Sequence, residues 1–244
     1  MTDSYTHSTY GERVAPVYDE LFSEYEEASV ERLAELARGG RVLELGLGTG
    51  RIALPLLARG VEVQGIDSSP AMVERLRSKP GGDRVKVSMG NFADVDVEGE
   101  FSLIYVVFNT IFALLTQEEQ VRCFRNACGR LTADGYFLIE AFVPDLSRFD
   151  HGQSNKVTRM STDGVGLDMA MHDPAEQRVT GQYVYITRDG VRLYPIQIRY
   201  AWPAELDLMA QLAGLRLLYR WGGWQREPFT SQSGRHVSVY ERAR

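Results

Sequence analysis

The chain has 244 residues, of which 44% are hydrophobic and 25% are charged, and its formal net charge is −6. These values are typical of a globular α/β domain and exclude a disordered chain or one that needs disulfide bonds to fold. The negative charge and the lack of any Lys/Arg run argue against a nucleic-acid partner or an anionic membrane surface.

The ends and the cysteines also limit the class of protein. The N-terminal sequence MTDSYTHSTYGERVAP lacks the apolar stretch of a signal peptide, and no apolar run is long enough to span a membrane. We therefore expect a cytoplasmic protein. Cys123 and Cys128 lie on different faces of a predicted helix, and no His accompanies them at ligand spacing. Neither a disulfide nor a metal site is expected.

Strands and helices alternate in the first half of the chain. Residues 1–40 carry apolar side chains at helical spacing, which predicts one or two helices that cover the following core. Strands are then predicted at 41–45, 61–66, 85–89, 101–108 and 136–142, and helices at 51–59, 70–78 and 116–130. Because such alternation is typical of βαβ units, residues 41–145 are predicted to form a doubly wound α/β core.

The pattern changes after the fifth predicted strand. Four extended segments without helical periodicity are predicted at 156–161, 166–172, 178–187 and 191–200. The sequence Arg188-Asp189-Gly190 between the last two segments is a strong hairpin signal. Residues 156–200 are therefore predicted to form an inserted antiparallel β layer, and residues 201–244 a helix and two strands. No linker or repeat separates these parts, so we expect a single domain over 1–244.

A glycine-rich turn follows the first predicted strand in RVLELGLGTGRIALPLLARG. Gly46, Gly48 and Gly50 allow a tight turn and let a ligand approach the backbone at a helix N-terminus. The dinucleotide fingerprint requires a third small residue at the position of Arg51. Asp67 ends the second strand, where a carboxylate accepts hydrogen bonds from both hydroxyls of an adenosine ribose. Alternatively, Asp67 only begins the next helix as a turn residue.

These sequences together resemble the first two motifs of the class I S-adenosylmethionine-dependent methyltransferases. The resemblance continues in MGNFADVD after the third strand, FSLIYVVFNTIFAL at the fourth and LTADGYFLIEAFVP at the fifth. It covers about residues 10–145 by motif and 200–244 by architecture. It implies a Rossmann-like doubly wound sheet of seven strands with an antiparallel last strand, and methyl transfer to a small molecule. The most similar members act on amino sugars and other natural products and also contain the insertion.

The resemblance assigns residues to the amino-acid end of S-adenosylmethionine and of its product S-adenosylhomocysteine. The three glycines of the loop pass under the methionine part, and Glu44 supports the loop. The backbone carbonyl near Val107 accepts a hydrogen bond from the methionine ammonium. Arg51 reaches the methionine carboxylate, or else it is a solvated residue on the helix surface.

The resemblance also assigns residues to the adenosine end. Asp67, with Ser68 beside it, holds the ribose, and Met72 packs near the adenine. Asn91 and Phe92 line the adenine. Many relatives have Asp at the position of Asn91, but an Asn side chain keeps a carbonyl oxygen that accepts from the adenine amino group.

Methyl transfer from a sulfonium has an excellent leaving group, so positioning supplies much of the rate. A general base is needed only if the acceptor must lose a proton. Two residues are candidates for catalysis. Tyr18 stands where relatives place a Tyr over the methyl group or the cofactor carboxylate, and His151 follows the fifth strand at the ligand-binding edge of the sheet. The alternatives are a core aromatic residue and a surface histidine.

The acceptor is expected between the N-terminal segment and the insertion, which would act as a lid. The residues assigned to this acceptor site are Tyr10, Phe112, Trp224 and Phe229. Three other aromatic residues are assigned first to the core: Phe108, Trp202 and Trp221.

Other functions and assemblies remain open. A nicotinamide-dependent oxidoreductase on the same fold is disfavoured by Arg51 and by the lack of a Tyr-x-x-x-Lys pair. A non-catalytic nucleotide-binding module would keep the same pocket. The sequence Phe108-Asn109-Thr110-Ile111 differs from the motif of enzymes that methylate a flipped base. A protein acceptor, the acceptor atom (N, O or S) and a homodimer all stay open.

Overall fold

Seven strands form the central sheet of the computed structural model, which describes residues 5–22 and 24–243. The strands are β1 (Val42–Leu45), β2 (Val63–Asp67), β3 (Lys86–Met89), β4 (Phe101–Val106), β5 (Leu131–Phe142), β10 (Leu215–Trp221) and β11 (Arg235–Arg242). Their order is β10-β11-β5-β4-β1-β2-β3. The first five run parallel, and β11 is antiparallel to both β5 and β10. The predicted fold class is confirmed.

The helices lie on both faces of this sheet. They are α1 (Thr9–Val14), α2 (Tyr18–Leu21), α3 (Glu27–Ala37), α4 (Ala53–Ala58), α5 (Pro70–Arg77), α6 (Gln117–Arg130) and α7 (Pro203–Leu212). The predicted cover over 1–40 contains three helices rather than one or two, because Pro16 cannot continue α1. Residues 1–4 and 23 of that cover lie outside the described residues. The side chain of Ser69 caps α5 by accepting from the Met72 N–H.

The insertion is a second, four-stranded antiparallel sheet, as predicted. Its strands are β6 (Gln153–Ser161), β7 (Gly164–Asp173), β8 (Arg178–Thr187) and β9 (Gly190–Arg199), paired in that order. Strand β9 contacts α1 and the short turn that follows β4, so the insertion lies at the carboxyl end of the central sheet. Tyr194 packs there in a small apolar cluster with Val14, Ala15 and Met72.

The strands β1 and β4 are buried on both faces, as expected for the middle of a doubly wound sheet. Strand β5 begins at Leu131, directly after α6, and not at residue 136 as predicted. The polar sequence Thr132-Ala133-Asp134-Gly135 hid this part of the strand, because a loop has the same composition. Among the described residues, no helix has the length and apolar character needed to cross a membrane.

Candidate cofactor and acceptor site

The glycine loop lies between β1 and α4. Gly46, Gly48 and Gly50 have φ angles of 74°, 57° and 78°, which side chains other than glycine rarely adopt. A Cβ atom at Gly46 would overlap Thr110, and one at Gly50 would overlap Leu76. The space beside Gly48 is open, so its backbone is accessible to a ligand. This geometry fits the predicted cradle for the methionine part of the cofactor.

Asp67 joins the glycine loop to the start of α5. One carboxylate oxygen accepts from the Gly48 N–H at 2.7 Å, and the other accepts from the Ser69 N–H at 2.8 Å. Burial raises the pKa of Asp67, whereas these backbone donors lower it. Each oxygen keeps a lone pair for a further donor. The carboxylate thus links the glycine loop to the start of α5, and its contact with a ribose stays a prediction.

Glu44 and Arg51 lie on either side of the glycine loop in the sequence and have different surroundings. Glu44 is buried, accepts from the Tyr105 hydroxyl at 2.9 Å, and has its pKa raised to about 8 by burial. The Arg51 guanidinium lies 3.8 Å from the centre of the Phe108 ring and donates to the Glu24 carbonyl at 3.2 Å. Arg51 is therefore held in the cleft by a cation–π contact and is not a freely solvated surface residue.

Tyr18 lies close to the same groups. Its ring packs against Phe22, with ring centres 5.1 Å apart. Burial raises the pKa of Tyr18, and the charges of Arg51, Glu44 and Asp67 act on its hydroxyl. These charges belong to residues at the glycine loop, and a role of Tyr18 in catalysis stays a prediction.

The N-terminal segment, defined here as residues 5–22, is tied to the glycine loop by Asp19. The Asp19 carboxylate accepts from the Thr49 hydroxyl and from the Lys79 ammonium, both at 2.7 Å. Lys79 also donates to the Thr49 carbonyl at 2.9 Å. The sequence analysis missed these residues because three separate segments supply them.

A second tie joins the N-terminal segment to the helix after β2. Glu12 accepts from the Ser69 hydroxyl at 2.6 Å and from the Ala71 N–H at 3.1 Å. The Ser68 hydroxyl donates to the His7 carbonyl at 3.0 Å. The N-terminal segment thus covers the residues that were predicted to hold the ribose.

The predicted adenine residues lie near the same cover. Met72 and Phe92 are buried. The Asn91 carbonyl oxygen accepts from the Ala93 N–H at 2.9 Å, and its amide nitrogen lies 3.3 Å from the Glu119 carboxylate. The oxygen that was expected to accept from the adenine amino group therefore already has one backbone donor. The contacts of these residues with adenine stay predictions.

A cavity of about 170 Å³ lies between the N-terminal segment and the inner face of the insertion sheet. It is lined by Tyr10, Val14, Leu21, Phe22, Thr158, Tyr183, Tyr185 and Tyr194. Only Tyr10 of this set was assigned to the acceptor site from the sequence. Tyr183 and Tyr185 share a face of β8, and this i, i+2 pair in YVYIT was the available signal. Burial raises the pKa of Tyr10, Tyr183 and Tyr185, so these hydroxyls stay neutral.

The structure places four aromatic residues in surroundings other than those predicted. Phe112 is 0% exposed and packs on Phe142. Trp224 is 3% exposed and lies in the core with residues of β4 and β11. Neither ring lines the cavity. Phe108 and Trp202 were assigned to the core but are 39% and 42% exposed. The physical reason is that hydrophobic character alone does not distinguish a pocket wall from a core position.

Two further predictions concern loops at the edges of the site. The His151 side chain is 95% exposed on the turn before β6, where it pairs with Asp150 at 2.6 Å. No described contact joins His151 to the cleft, so its predicted catalytic role gains no support. Phe229 lies between β10 and β11 against the buried His236 ring, with ring centres 6.4 Å apart, and is absent from the cavity lining.

Glu140 is a site residue that the sequence analysis missed. It lies near the end of β5, and its carboxylate accepts from the Phe108 N–H at 2.5 Å. Burial raises the pKa of Glu140, and the positive charges of Arg235 and Arg51 oppose this effect. An acid inside an apolar strand is visible in the sequence LIEAF, but its partner in the turn after β4 is not.

A doubly wound sheet with a glycine loop after β1, an acid ending β2 and an antiparallel last strand is the class I methyltransferase architecture. A methyltransferase domain profile matches residues 42–135. The CcbJ methyltransferase from Streptomyces caelestis is 38% identical, with a TM-score of 0.91 over 98% of this chain and 100% of CcbJ. The chain therefore belongs to the class I S-adenosylmethionine-dependent methyltransferases.

Other relatives agree with this assignment. The cypemycin N-terminal methyltransferase of a Streptomyces species is 27% identical over 84% of each chain. The sugar N-methyltransferase KedS8 from Streptoalloteichus shares the fold, with a TM-score of 0.70, 18% identity and coverage of 100% of this chain and 98% of KedS8.

Proposed function

We propose that this enzyme methylates an amino group of a small natural product. The observation that supports this proposal is the cavity between the N-terminal segment and the insertion. Phe22 belongs to its lining and contacts both Tyr18 and Phe108, so the cavity adjoins the cofactor cleft. Aromatic ring faces attract an amine in its cationic form and exclude bulk water around a neutral one.

The residues that line the cavity favour nitrogen as the acceptor atom. No Asp, Glu, His or Lys is present among the described lining residues. A phenol or alcohol acceptor would need such a base to lose its proton before it attacks. The lone pair of a neutral amine instead attacks the methyl group as the carbon–sulfur bond breaks, and the ammonium product then loses its proton to solvent. The relatives named as N-terminal and sugar N-methyltransferases also support an amine acceptor.

The residues of the cleft have defined tasks in this proposal. Bound S-adenosylmethionine supplies an electrophilic methyl group on a sulfonium. The glycine loop and Asp67 orient the cofactor, and Arg51 faces its carboxylate. Tyr18 and Phe22 close the cleft toward the cavity, so that water is kept from the transfer path.

The test compares the metabolites of the source strain with those of a strain that lacks the gene. We expect a compound lacking one methyl group to accumulate, and purified enzyme with S-adenosylmethionine should restore the methyl on nitrogen. Complementation with an Asp67→Ala variant is the matched control and should restore it poorly. Restoration of a methyl on oxygen or carbon, or no change in the metabolites, would contradict the proposal.

We also propose that the enzyme is a homodimer in the cytoplasm. Its two cysteines are buried free thiols, which supports a reducing compartment.

The dimer is supported by the outer face of the insertion sheet, which points away from the cavity. This outer face is defined by four rows of paired residues: Gln153, Met171, Thr180, Gln197; Asn155, Met169, Gln182, Pro195; Val157, Leu167, Val184, Leu193; and Met160, Val165, Ile186, Val191.

None of the residues in these four rows is charged, and most are apolar, whereas the next row on the same face consists of Asp173, Arg178 and Arg199. Seven of the apolar residues on this face are exposed: Met160, Val157, Met169, Met171, Ile186, Val191 and Leu193. Strand spacing and rise give a footprint of roughly 500 Å² per copy, so two copies would bury about 1,000 Å², where specific interfaces begin. Because the chain carries a net charge of −6, an uncharged face is the surface on which a second copy meets the least repulsion.

A further inference from the structure

The turn after β4 has an unusual backbone. Phe108 and Asn109 both have left-handed φ angles, 57° and 63°, although neither is glycine. Three hydrogen bonds to β5 hold them: Phe108 N–H to the Glu140 carboxylate at 2.5 Å, Asn109 N–H to the Glu140 carbonyl at 3.2 Å, and Phe142 N–H to the Asn109 side-chain oxygen at 2.6 Å. Strain of this kind persists where the surroundings fix it, and it concentrates at functional sites.

The bond to Glu140 also determines where the preceding carbonyl points. The Phe108 N–H and the Val107 carbonyl belong to one planar peptide, and the described chain has no cis peptide. When Glu140 holds the N–H on one side, the Val107 carbonyl is directed to the opposite side. That oxygen accepts a weak hydrogen bond from the Thr110 N–H within the turn, at 3.3 Å, and keeps one lone pair. A carboxylate on the N–H also polarises the peptide and strengthens its carbonyl as an acceptor.

The same turn supports Arg51. The Phe108 ring is the platform on which the Arg51 guanidinium lies, at 3.8 Å. The rings of Phe108 and Phe22 also make an edge-to-face contact, with ring centres 5.6 Å apart. The orientation of the Phe108 ring depends on the left-handed backbone that Glu140 holds. One carboxylate therefore fixes both a backbone acceptor and the support of a cation.

We propose that Glu140 is a positioning residue for the amino-acid end of the cofactor. It orients the Val107 carbonyl toward the ammonium and, through Phe108, holds Arg51 toward the carboxylate. Glu140 acts through the peptide and the ring and does not touch the reacting atoms. This inference rests on the proposed function, because it assumes that S-adenosylmethionine occupies the cleft.

The experiment uses two probes that differ in the amino-acid end alone. S-adenosylhomocysteine carries the ammonium and carboxylate, and 5′-methylthioadenosine carries neither. We expect Glu140→Leu to weaken S-adenosylhomocysteine binding by about tenfold or more and to leave 5′-methylthioadenosine within about threefold in calorimetry. Glu140→Gln keeps an oxygen acceptor for the Phe108 N–H and should bind both probes within about threefold of the wild type.

Two further variants complete the design. Phe108→Leu removes the platform of Arg51 from an exposed position, so it should fold and selectively lose affinity for S-adenosylhomocysteine. Glu26→Gln removes a nearby carboxylate that pairs with Arg235 and should change neither affinity.

Each result has a definite meaning. Unchanged S-adenosylhomocysteine binding in both Glu140→Leu and Phe108→Leu would overturn the inference. So would equal losses for the two probes, which indicate general damage, or a Glu140→Gln loss as large as that of Glu140→Leu, which indicates a direct charge effect. Failure of the wild type to bind S-adenosylhomocysteine would instead overturn the proposed function on which the inference rests.

Discussion

At the scale of single residues, Asp67 has a structural task, and a binding task is predicted for it. Its two oxygens accept from Gly48 and Ser69, which fixes the loop and the helix start on either side of the cleft. The remaining lone pairs are predicted to accept from the ribose hydroxyls. A residue with both tasks affects affinity directly, through its own hydrogen bonds, and indirectly, through the shape of the loop.

We therefore expect Asp67→Ala to weaken S-adenosylhomocysteine binding by about 1.5–3 kcal/mol, because charge-assisted hydrogen bonds are lost. Calorimetry measures this change, with Asp83→Ala as a control that removes an exposed carboxylate outside the cleft. An unchanged dissociation constant for Asp67→Ala would show that Asp67 is only a turn residue.

The sequence could predict those residues whose structural role depends on neighbours in the chain. The glycine loop and Asp67 are recognisable because the turn and the strand end that require them are adjacent in the chain. Glu140, Asp19 and Lys79 are not recognisable in this way, because their partners lie 30 or more residues distant. The aromatic residues Phe112 and Phe108 show the same limit: they stand four positions apart, and one is buried whereas the other is exposed.

At the scale of elements, the insertion sheet has two faces with opposite character. The inner face supplies Tyr183, Tyr185 and Tyr194 to the cavity, and the outer face is uncharged and largely apolar. The four strands could be predicted because their alternation and turn residues are local signals. The sequence could not predict which face of the sheet is covered, because an alternation of period 2 defines two faces but does not indicate what packs on each of them.

We expect the wild type to be a dimer in light scattering and Leu193→Glu to be a monomer with a similar melting temperature. A charge on the outer face would have to be buried without a partner in the dimer, whereas in a monomer it stays in water. Arg192→Gln is the matched control: it changes the net charge by the same amount on the opposite face and should remain a dimer. A wild-type monomer, or an unchanged mass for Leu193→Glu, would contradict the proposed interface.

At the scale of the whole molecule, one buried histidine links folding to pH. His236 lies in β11, its Nδ1 is 2.8 Å from the Ser238 hydroxyl, and its Nε2 is buried without a hydrogen-bond partner among the described residues. Burial lowers the pKa of His236 to about 4. The folded state therefore holds a neutral ring, and an unfolded chain, with an ordinary His pKa near 6.5, takes up a proton first.

It follows that the contribution of His236 to stability is complete above about pH 6.5 and is lost as the pH falls from there toward about 4. The loss from this group reaches about 3 kcal/mol. Urea unfolding at about pH 7.5, 6 and 5 should show a steeper decline for the wild type than for His236→Leu. Parallel declines in the two proteins would mean that His236 does not cause the acid sensitivity.

The contacts that hold the N-terminal segment on the glycine loop also have a consequence for the rate of product release. Asp19 and Lys79, about a quarter exposed, close this segment over the cleft through a charge pair that water and salt can reach. We expect spent cofactor to leave only after this pair opens, so that each catalytic cycle includes an opening step. On this hypothesis the residence time of the product depends on how often the pair dissociates, and it shortens as ionic strength rises. Turnover is then set by product release as much as by methyl transfer.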